Sequence, residues 1–369
     1  MISLYFHIPF CTKKCPYCHF YVIPHQSKAQ NLLLNALAKE WQLLLPKIKN
    51  KTIVSIYFGG GTPTLIGAEA IQTILSWIER EECEVTIEAN PEEVTLQLMQ
   101  QLKQAGVNRV SIGVQSLDDH LLATLGRTHN SQKAIQAVKK TYEAGITNIS
   151  IDLMYELPGQ TFESWHSTLK QVAKLPISHL SLYNLTIEPH TPFFKKKEQL
   201  IPLLPSQETN LDMLKMAVEE LENSGLKRYE ISAFAKEGFY SRHNVGYWTA
   251  RPFLGLGPSA FSYFDKKRMR NSANLSRYSS LLNEGKSPID FEEELFYPDN
   301  LHELLAVELR LLRGVDLLDF EKRHGKLPEM THEKLKRLEQ KGWIDIQNKV
   351  ASLSPEGLLF YDSVAEEII

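Results

Sequence analysis

The chain has 369 residues, of which 43% are hydrophobic and 23% are charged, and its formal net charge is −3. This length can bury one large core and a second, smaller one, and the composition is that of an ordinary globular protein. The charge excludes a strongly basic nucleic-acid-binding surface, and no apolar run approaches the roughly 20 residues of a transmembrane helix.

Strand-like and helix-like segments alternate through the first two thirds of the chain. The first predicted helix should stop at Pro46, and another should end at Gly106. The predicted strands are 4–8, 52–58, 84–88, 109–115, 148–154, 179–185 and 229–232. The predicted helices are 27–45, 68–79, 96–105, 132–144, 162–174 and 208–223.

This alternation predicts a parallel sheet covered by helices, because parallel strands need long helical crossovers. About six or seven strands are too few for the eight that close a full barrel. We therefore predict an open, partial (β/α) barrel. Polar residues at the strand ends should line its mouth.

Three of the four cysteines lie together after the first predicted strand, in the spacing C-x3-C-x2-C. They are Cys11, Cys15 and Cys18. Thiolates bind zinc or iron–sulfur clusters well, but a structural zinc ion normally needs four protein ligands. The fourth cysteine, Cys83, stands among acidic residues that would raise its pKa. Three thiolates on a four-iron cluster would leave one iron open to a substrate or cofactor.

Two other interpretations of the cysteines stay open. One is a zinc site with His7 or His19 as the fourth ligand. The other is a set of inert, buried thiols, which the polar residues at 12–16 disfavour. Few cysteines, most of them suited to metal, also predict a reducing cytoplasmic setting, and the immediate start of the first strand predicts no signal peptide.

Polar or glycine residues mark the ends of the next strands. A glycine run at 59–61 lets the backbone approach a ligand, and no Lys-Ser/Thr follows it to make a phosphate loop. Glu88, Gln115 and Asp152 end or lie in three successive strands, and Arg127 is a cation suited to a carboxylate. Each alone is more often structural, but together they predict a binding site at the mouth.

With these motifs the chain resembles the radical S-adenosylmethionine (SAM) superfamily, and within it the relatives of oxygen-independent coproporphyrinogen III dehydrogenase. The motifs include the cysteine loop, GGGTPT at 59–64, GVQS at 113–116 and LPG at 157–159. The resemblance implies a (β/α)6 barrel and a 4Fe-4S cluster on the three cysteines, with SAM on the unique iron. It assigns these residues to SAM: Tyr5, Tyr17, Gly60, Gly61, Thr62, Glu88, Gln115, Arg127 and Asp152.

Two functions compete within this branch. The dehydrogenase decarboxylates two porphyrinogen propionates, and it carries a further cysteine two residues after the third, as well as an N-terminal extension. Here that position is Phe20, and the chain begins close to Tyr5. The chain is more similar to the HemW group of haem chaperones, which have C-x3-C-x2-C-x-F. A radical SAM enzyme with an unrelated substrate is a third option.

The HemW resemblance also covers an H-N-x-x-Y-W motif. A histidine can ligate haem iron, and aromatic rings can pack on a porphyrin. The motif residues His243, Tyr247 and Trp248 are therefore predicted to contact haem. Without the resemblance, the same residues would be read as loop packing.

The alternation of strand-like and helix-like segments ends at about residue 272. Three predicted helices, at 301–312, 317–323 and 333–341, and a hairpin at 343–353 indicate a small winged-helix-like α+β domain. Acidic residues at 292–294 argue against DNA binding, and a role as a lid or docking domain is expected. We predict a barrel at 1–235, a connecting segment at 236–290 and a C-terminal domain at 291–369.

The combined expectation is a cytoplasmic haem chaperone that carries a 4Fe-4S cluster and SAM. It would deliver haem to haem-requiring apoproteins, including respiratory ones at the membrane surface, without binding nucleic acid. Peripheral association with that membrane is part of this expectation.

Overall fold

Twelve strands form one continuous sheet in the computed structural model, which describes residues 1–369. The 17 strands of the chain are β1 (Ile2–Ile8), β2 (Phe10–Cys11), β3 (Ile23–Pro24), β4 (Ile53–Gly60), β5 (Glu84–Ala89), β6 (Arg109–Gln115), β7 (Asn148–Tyr155), β8 (His179–Asn184), β9 (Lys227–Glu230), β10 (Ala233–Ala235), β11 (Phe253–Leu256), β12 (Phe261–Phe264), β13 (Lys267–Asn271), β14 (Ile289–Glu294), β15 (Val315–Asp316), β16 (Ile344–Gln347) and β17 (Val350–Leu353). Of these, β2 and β3 pair with each other and β15–β17 form a three-stranded sheet, so these five lie outside the twelve-stranded sheet.

Helices follow most of the central strands. They are α1 (Ser27–Ile48), α2 (Gly67–Ser76), α3 (Leu96–Ala105), α4 (Asp119–Thr124), α5 (Ser131–Glu143), α6 (Phe162–Val172), α7 (Pro192–Lys195), α8 (Lys197–Leu200), α9 (Gln207–Asn223), α10 (Arg242–Trp248), α11 (Leu275–Asn283), α12 (Asp299–Glu308), α13 (Leu317–His324), α14 (Glu329–Gln340), α15 (Pro355–Leu359) and α16 (Tyr361–Ile368). No helix has both the length and the apolar composition needed to cross a bilayer.

Six neighbouring strands, in the order β1-β4-β5-β6-β7-β8, are parallel. This confirms the predicted partial (β/α)6 barrel. Successive side chains of a strand point to opposite faces. On β6, Val110, Ile112 and Val114 join a core of 56 buried residues. The alternate residues Ser111 and Gln115 line a cavity on the inner face.

Two sequence predictions need correction. The last predicted strand does not continue the parallel sheet, because β10 pairs antiparallel with β8, and β9 antiparallel with β10. Only two residues separate β9 from β10, which permits a hairpin but not a parallel crossover. Helix α1 also continues through Pro46 to Ile48. The backbone donor that proline lacks falls in the last turn, where little of the helix remains to be disrupted.

Helix α3 ends as predicted, since Gly106 adopts a left-handed φ of 105° directly after it. At the other edge of the sheet, β11 runs parallel to β1 and is followed by antiparallel β12, β13 and β14.

The C-terminal helices and β15–β17 enclose a separate core of 14 buried residues. This confirms the small α+β domain with its predicted hairpin, here β16–β17. Two further helices at the end, α15 and α16, were not predicted. The short α16 buries only Val364 and Ile368, so its apolar pattern in the sequence is brief.

Candidate functional site

A cavity of about 430 Å³ opens at the carboxyl ends of the parallel strands. This volume is typical of a small-molecule site. It is lined by the cysteine loop and by the ends of β4 to β8. Its lining includes Cys11, Cys15, Tyr17, Cys18, His19, Phe20, Gly60, Gly61, Glu88, Asn90, Gln115, Arg127, Asp152 and Tyr183.

The cysteine loop is held beside β1 by a short parallel ladder between β2 and β3. Cys11, Cys15 and Cys18 all line the cavity as free, half-buried thiols. Burial raises the pKa of Cys11 to about 11 and also raises that of Cys18. Metal ligation requires thiolates, so assembly of a cluster would release these protons.

The surroundings of the thiols suit a negatively charged thiolate group. The Arg127 guanidinium donates a hydrogen bond to Cys15 Sγ at 3.4 Å, and the Thr62 hydroxyl donates to Cys11 Sγ at 3.7 Å. No group of three His, Cys, Asp or Glu side chains is arranged to hold a single metal ion. A structural zinc ion normally needs four protein ligands and this loop supplies three thiols, so the donor set fits a multi-iron cluster with one open iron better than a zinc ion.

His7, a zinc-ligand candidate from the sequence, has both ring nitrogens engaged. Its Nδ1 lies 3.1 Å from the Tyr5 hydroxyl, and its Nε2 lies 3.0 Å from the carbonyl oxygen of Tyr21. It is 4% exposed. The other candidate, His19, is exposed and lines the cavity.

Cys83 lies far from this loop in the sequence and is buried against the main core. Its pKa is raised to about 11, as the sequence predicted, but burial is the larger cause and Glu84 the smaller one.

The glycine run brings the end of β4 against the cysteine loop. A Cβ atom on Gly61 would lie 2.4 Å from the carbonyl oxygen of Phe10, and Gly60 has a left-handed φ of 108°. Only glycine fits both constraints. The backbone N–H of Thr62 then donates to the Phe10 carbonyl at 2.7 Å. The glycines thus fix the wall of the cavity nearest the thiols.

Two half-buried carboxyl groups face this cavity. Glu88 accepts hydrogen bonds from the Gly60 N–H at 3.1 Å and the Tyr57 hydroxyl at 2.9 Å. Burial, then Asp152, raises the pKa of Glu88 to about 7. Asp152 accepts a hydrogen bond from the Ser111 hydroxyl at 3.3 Å, and burial raises its pKa to about 6. Both groups offer acceptor oxygens to an ammonium or hydroxyl group.

Arg127 spans the cavity wall. Its Nη2 donates to Asn90 Oδ1 at 2.5 Å and to the Gly113 carbonyl at 2.9 Å, while its buried Nε has no partner. Arg127 therefore retains an unused donor in this wall.

Gln115, on the same wall, has a φ of 64°, which is rare for a residue with a side chain. Such strain tends to occur at functional positions.

The predicted SAM residues are mostly brought together here. Tyr17 lines the cavity and packs against Phe193, with ring centroids 6.2 Å apart. Tyr5 and Thr62 do not line the cavity. The Thr62 hydroxyl donates to Cys11, which does, and the Tyr5 hydroxyl bonds to the buried His7 instead. Sequence reasoning missed Asn90 and Tyr183. Both stand at strand ends, which is the signal that could have identified them.

The predicted haem residues lie elsewhere. His243, at the start of α10, is 1% exposed and lies 2.9 Å from the Ser55 hydroxyl through Nδ1. Ser55 stands five residues before Gly60 on β4, which is about 16 Å along a strand. Burial, then Arg251 and Arg109, lowers the pKa of His243 to about 3. The structure does not bring this histidine to the cavity.

The other two motif residues pack within the protein as well. The Tyr247 hydroxyl lies 2.7 Å from His243 Nε2. The Trp248 ring lies under the guanidinium of Arg310, 4.4 Å from its centroid, and Arg310 follows α12 in the C-terminal part of the chain. The motif therefore links the barrel to that domain.

Comparison with known proteins adds to this geometry. Residues 5–172 match the radical SAM superfamily, and residues 298–360 match the HemN C-terminal domain. The chain is 33% identical over 371 residues to a Bacillus subtilis protein named heme chaperone HemW, covering 99% of this chain and 98% of that one. It is 31% identical to the Escherichia coli protein of the same name, covering 99% and 97%.

Among solved structures, coproporphyrinogen III oxidase (HemN) from Escherichia coli, described as a radical SAM enzyme, superposes with a TM-score of 0.87. The sequence identity is 25%, and the match covers 100% of this chain and 89% of that one. The two proteins therefore share both the barrel and the C-terminal domain.

Proposed function

This chain belongs to the HemW family of radical SAM proteins, and on that basis we propose that it binds haem and delivers it to haem-requiring apoproteins. Supporting relatives carry the name heme chaperone and match almost their whole length. We further propose that the protein works in the cytoplasm and meets respiratory apoproteins at the membrane surface.

We propose that Cys11, Cys15 and Cys18 hold a 4Fe-4S cluster. When bound, such a cluster supplies one-electron chemistry and an open iron site. The free thiols around one cavity, with the Arg127 guanidinium beside Cys15, support this assignment. Arg127 offsets the negative charge that three thiolates bring to a half-buried site.

The same cavity is the proposed SAM site. Arg127 has the fork geometry that suits the methionyl carboxylate, while Glu88 and Asp152 offer acceptors to the amino group and the ribose hydroxyls. The glycine run allows close backbone approach to the methionyl end. In this proposal these residues bind and orient SAM, whether or not it is cleaved.

The presence of phenylalanine at position 20 is the observation that favours a chaperone function over catalysis. Its side chain lines the cavity and is 53% exposed, at the position where the dehydrogenase motif has a thiol. A phenyl ring can neither donate a hydrogen atom nor carry an electron as a thiol does. It can instead offer apolar surface to a flat ligand.

Anaerobic titration of the cluster-loaded protein with haem tests the proposal. Followed by absorbance, it should saturate at one haem per chain. A titration that does not saturate would indicate nonspecific binding of haem to apolar surface, and it would contradict the proposal.

A second candidate is coproporphyrinogen III dehydrogenase activity, favoured by the full-length structural similarity to HemN. The discriminating assay supplies coproporphyrinogen III, SAM and reductant, and follows the porphyrinogen mass. Loss of two carboxyl groups from the porphyrinogen would establish dehydrogenase activity. An unchanged porphyrinogen mass, with protein whose cluster is intact, would favour the haem chaperone function.

A further inference from the structure

The outer rim of the cavity carries an imidazole whose ring nitrogens have no hydrogen-bond partner in the chain. His19 is exposed, lines the cavity, and packs on Phe20 with ring centroids 4.7 Å apart. No hydrogen bond ties its ring nitrogens to another residue of the chain. We define the cavity rim as Lys13, Lys14, His19 and Phe20, four exposed residues of the cysteine loop that border the cavity.

We propose that this cavity rim is the haem docking site and that His19 is the axial ligand of the haem iron. The inference rests on the proposed haem binding and names its site. Imidazole nitrogen is the protein ligand of haem iron in globins and peroxidases. Binding would form one N–Fe bond, with a water molecule as the ligand that leaves.

The other histidines near the barrel interior are poor competitors. Of the chain's 12 histidines, His19 is the one that lines the cavity. His7 and His243 are 4% and 1% exposed, and both nitrogens of each ring already have partners. Either would have to break at least one buried hydrogen bond to present a nitrogen to iron.

The cavity rim also supplies apolar surface. Phe20 is 53% exposed. An exposed aromatic ring beside a cavity is typical of ligand sites, because it provides a large contact area at little entropic cost. A porphyrin stacked on this ring would cover it.

Two amines complete the match to haem, which carries two propionates. Lys13 and Lys14 are both exposed on the same loop. Lys14 Nζ donates to the backbone carbonyl of Phe20 at 3.0 Å, which fixes its charge on the same loop as the exposed ring. An ammonium group has three donors, so this bond leaves two for a carboxylate.

The size of the cavity favours docking at its rim. About 430 Å³ suits one small ligand, and the interior polar groups already match SAM. Haem at the rim would cover the cavity mouth and leave the interior free. SAM and haem could then be bound together.

Haem titration of full-length, cluster-loaded His19→Ala tests the site, with His332→Ala as a matched control. His332 is an exposed histidine, with its side chain 46% exposed, in the C-terminal helix α14. We expect at least about a tenfold rise in the haem Kd for His19→Ala, no change for the control, and loss of the imidazole signature in the resonance Raman spectrum. Free imidazole should restore that signature.

The other outcomes separate this inference from the proposed function. If wild type binds no haem, the proposed function fails and the site fails with it. If wild type binds haem and His19→Ala keeps the same affinity and signature, the site is wrong and the proposed function stands. Loss of cluster iron in His19→Ala would also overturn the inference, since His19 would then act on the cluster.

Discussion

The Nε2 atom of His243 and the hydroxyl group of Tyr247 lie 2.7 Å apart across one turn of α10. On its other side, His243 Nδ1 lies 2.9 Å from the hydroxyl of Ser55 on β4. The His243 backbone N–H donates to the buried carboxylate of Glu84 on β5 at 3.1 Å. One histidine thus connects α10 to two strands of the barrel, and haem ligation by it stays a prediction that would require this network to open.

Replacing His243 by alanine should therefore destabilise the protein. The change removes the partner of the Tyr247 hydroxyl and one of two partners of the Ser55 hydroxyl, which also bonds to Ser3, and it empties a buried site. The expected cost is about 2–4 kcal/mol in the free energy of unfolding. Thermal unfolding of wild type, His243→Ala and His243→Gln measures it, and glutamine should recover part of the loss. If alanine abolished haem binding with unchanged unfolding, His243 would instead be a ligand.

Replacing Cys15 by alanine should abolish stable cluster binding, because two thiolates cannot replace the three that the cavity offers. Cys83→Ala is the control, since Cys83 is a free cysteine away from the cavity. Iron and sulfide content after anaerobic reconstitution is the measurement. Equal iron in the two variants would contradict the assignment.

Arg127→Lys should weaken SAM binding by about tenfold or more, because an ammonium group cannot reproduce the fork of a guanidinium. Arg277→Lys, on the exposed side of α11, should bind SAM as wild type does. Calorimetric titration with SAM compares the two cluster-loaded variants. A wild-type affinity in Arg127→Lys would remove this residue from the proposed site.

A buried carboxyl group outside the cavity predicts a pH dependence of stability. Glu40 accepts hydrogen bonds from the Gly257 N–H at 2.8 Å, from Asn271 Nδ2 at 2.6 Å and from the Tyr278 hydroxyl. No cation pairs with it, and burial raises its pKa from 4.5 to about 7. The folded protein therefore holds this proton more tightly than the unfolded chain does.

The Glu40 contribution to stability is complete below pH 4.5 and is lost as the pH rises through about 7. At about 1.4 kcal/mol per pKa unit, the loss is about 3 kcal/mol. Glu88 and Asp152 contribute in the same direction, so Glu40→Gln should reduce the fall in unfolding temperature between pH 5 and 8 without abolishing it. An identical pH profile in the variant would refute the Glu40 assignment.

The sequence predicted what depends on local pattern. The six parallel strands follow from their order and spacing, and the cysteine loop is contiguous. The fate of His243 could not be predicted, because its partners Ser55 and Glu84 lie 188 and 159 residues away. The β9–β10 hairpin was missed because a short strand after a helix resembles another βα unit. The sequence indicates His19 only as a zinc ligand, since its exposure at the cavity depends on the fold.

The most direct test of the chaperone account is the rate of haem transfer from the haem-loaded, cluster-loaded protein to an apo-form of a respiratory haem protein. The transfer rate is measured by absorbance at increasing acceptor concentrations. A rate that rises with acceptor concentration is predicted, because delivery requires contact between the two proteins. A rate that is independent of the acceptor would show that haem simply dissociates, and would contradict the account.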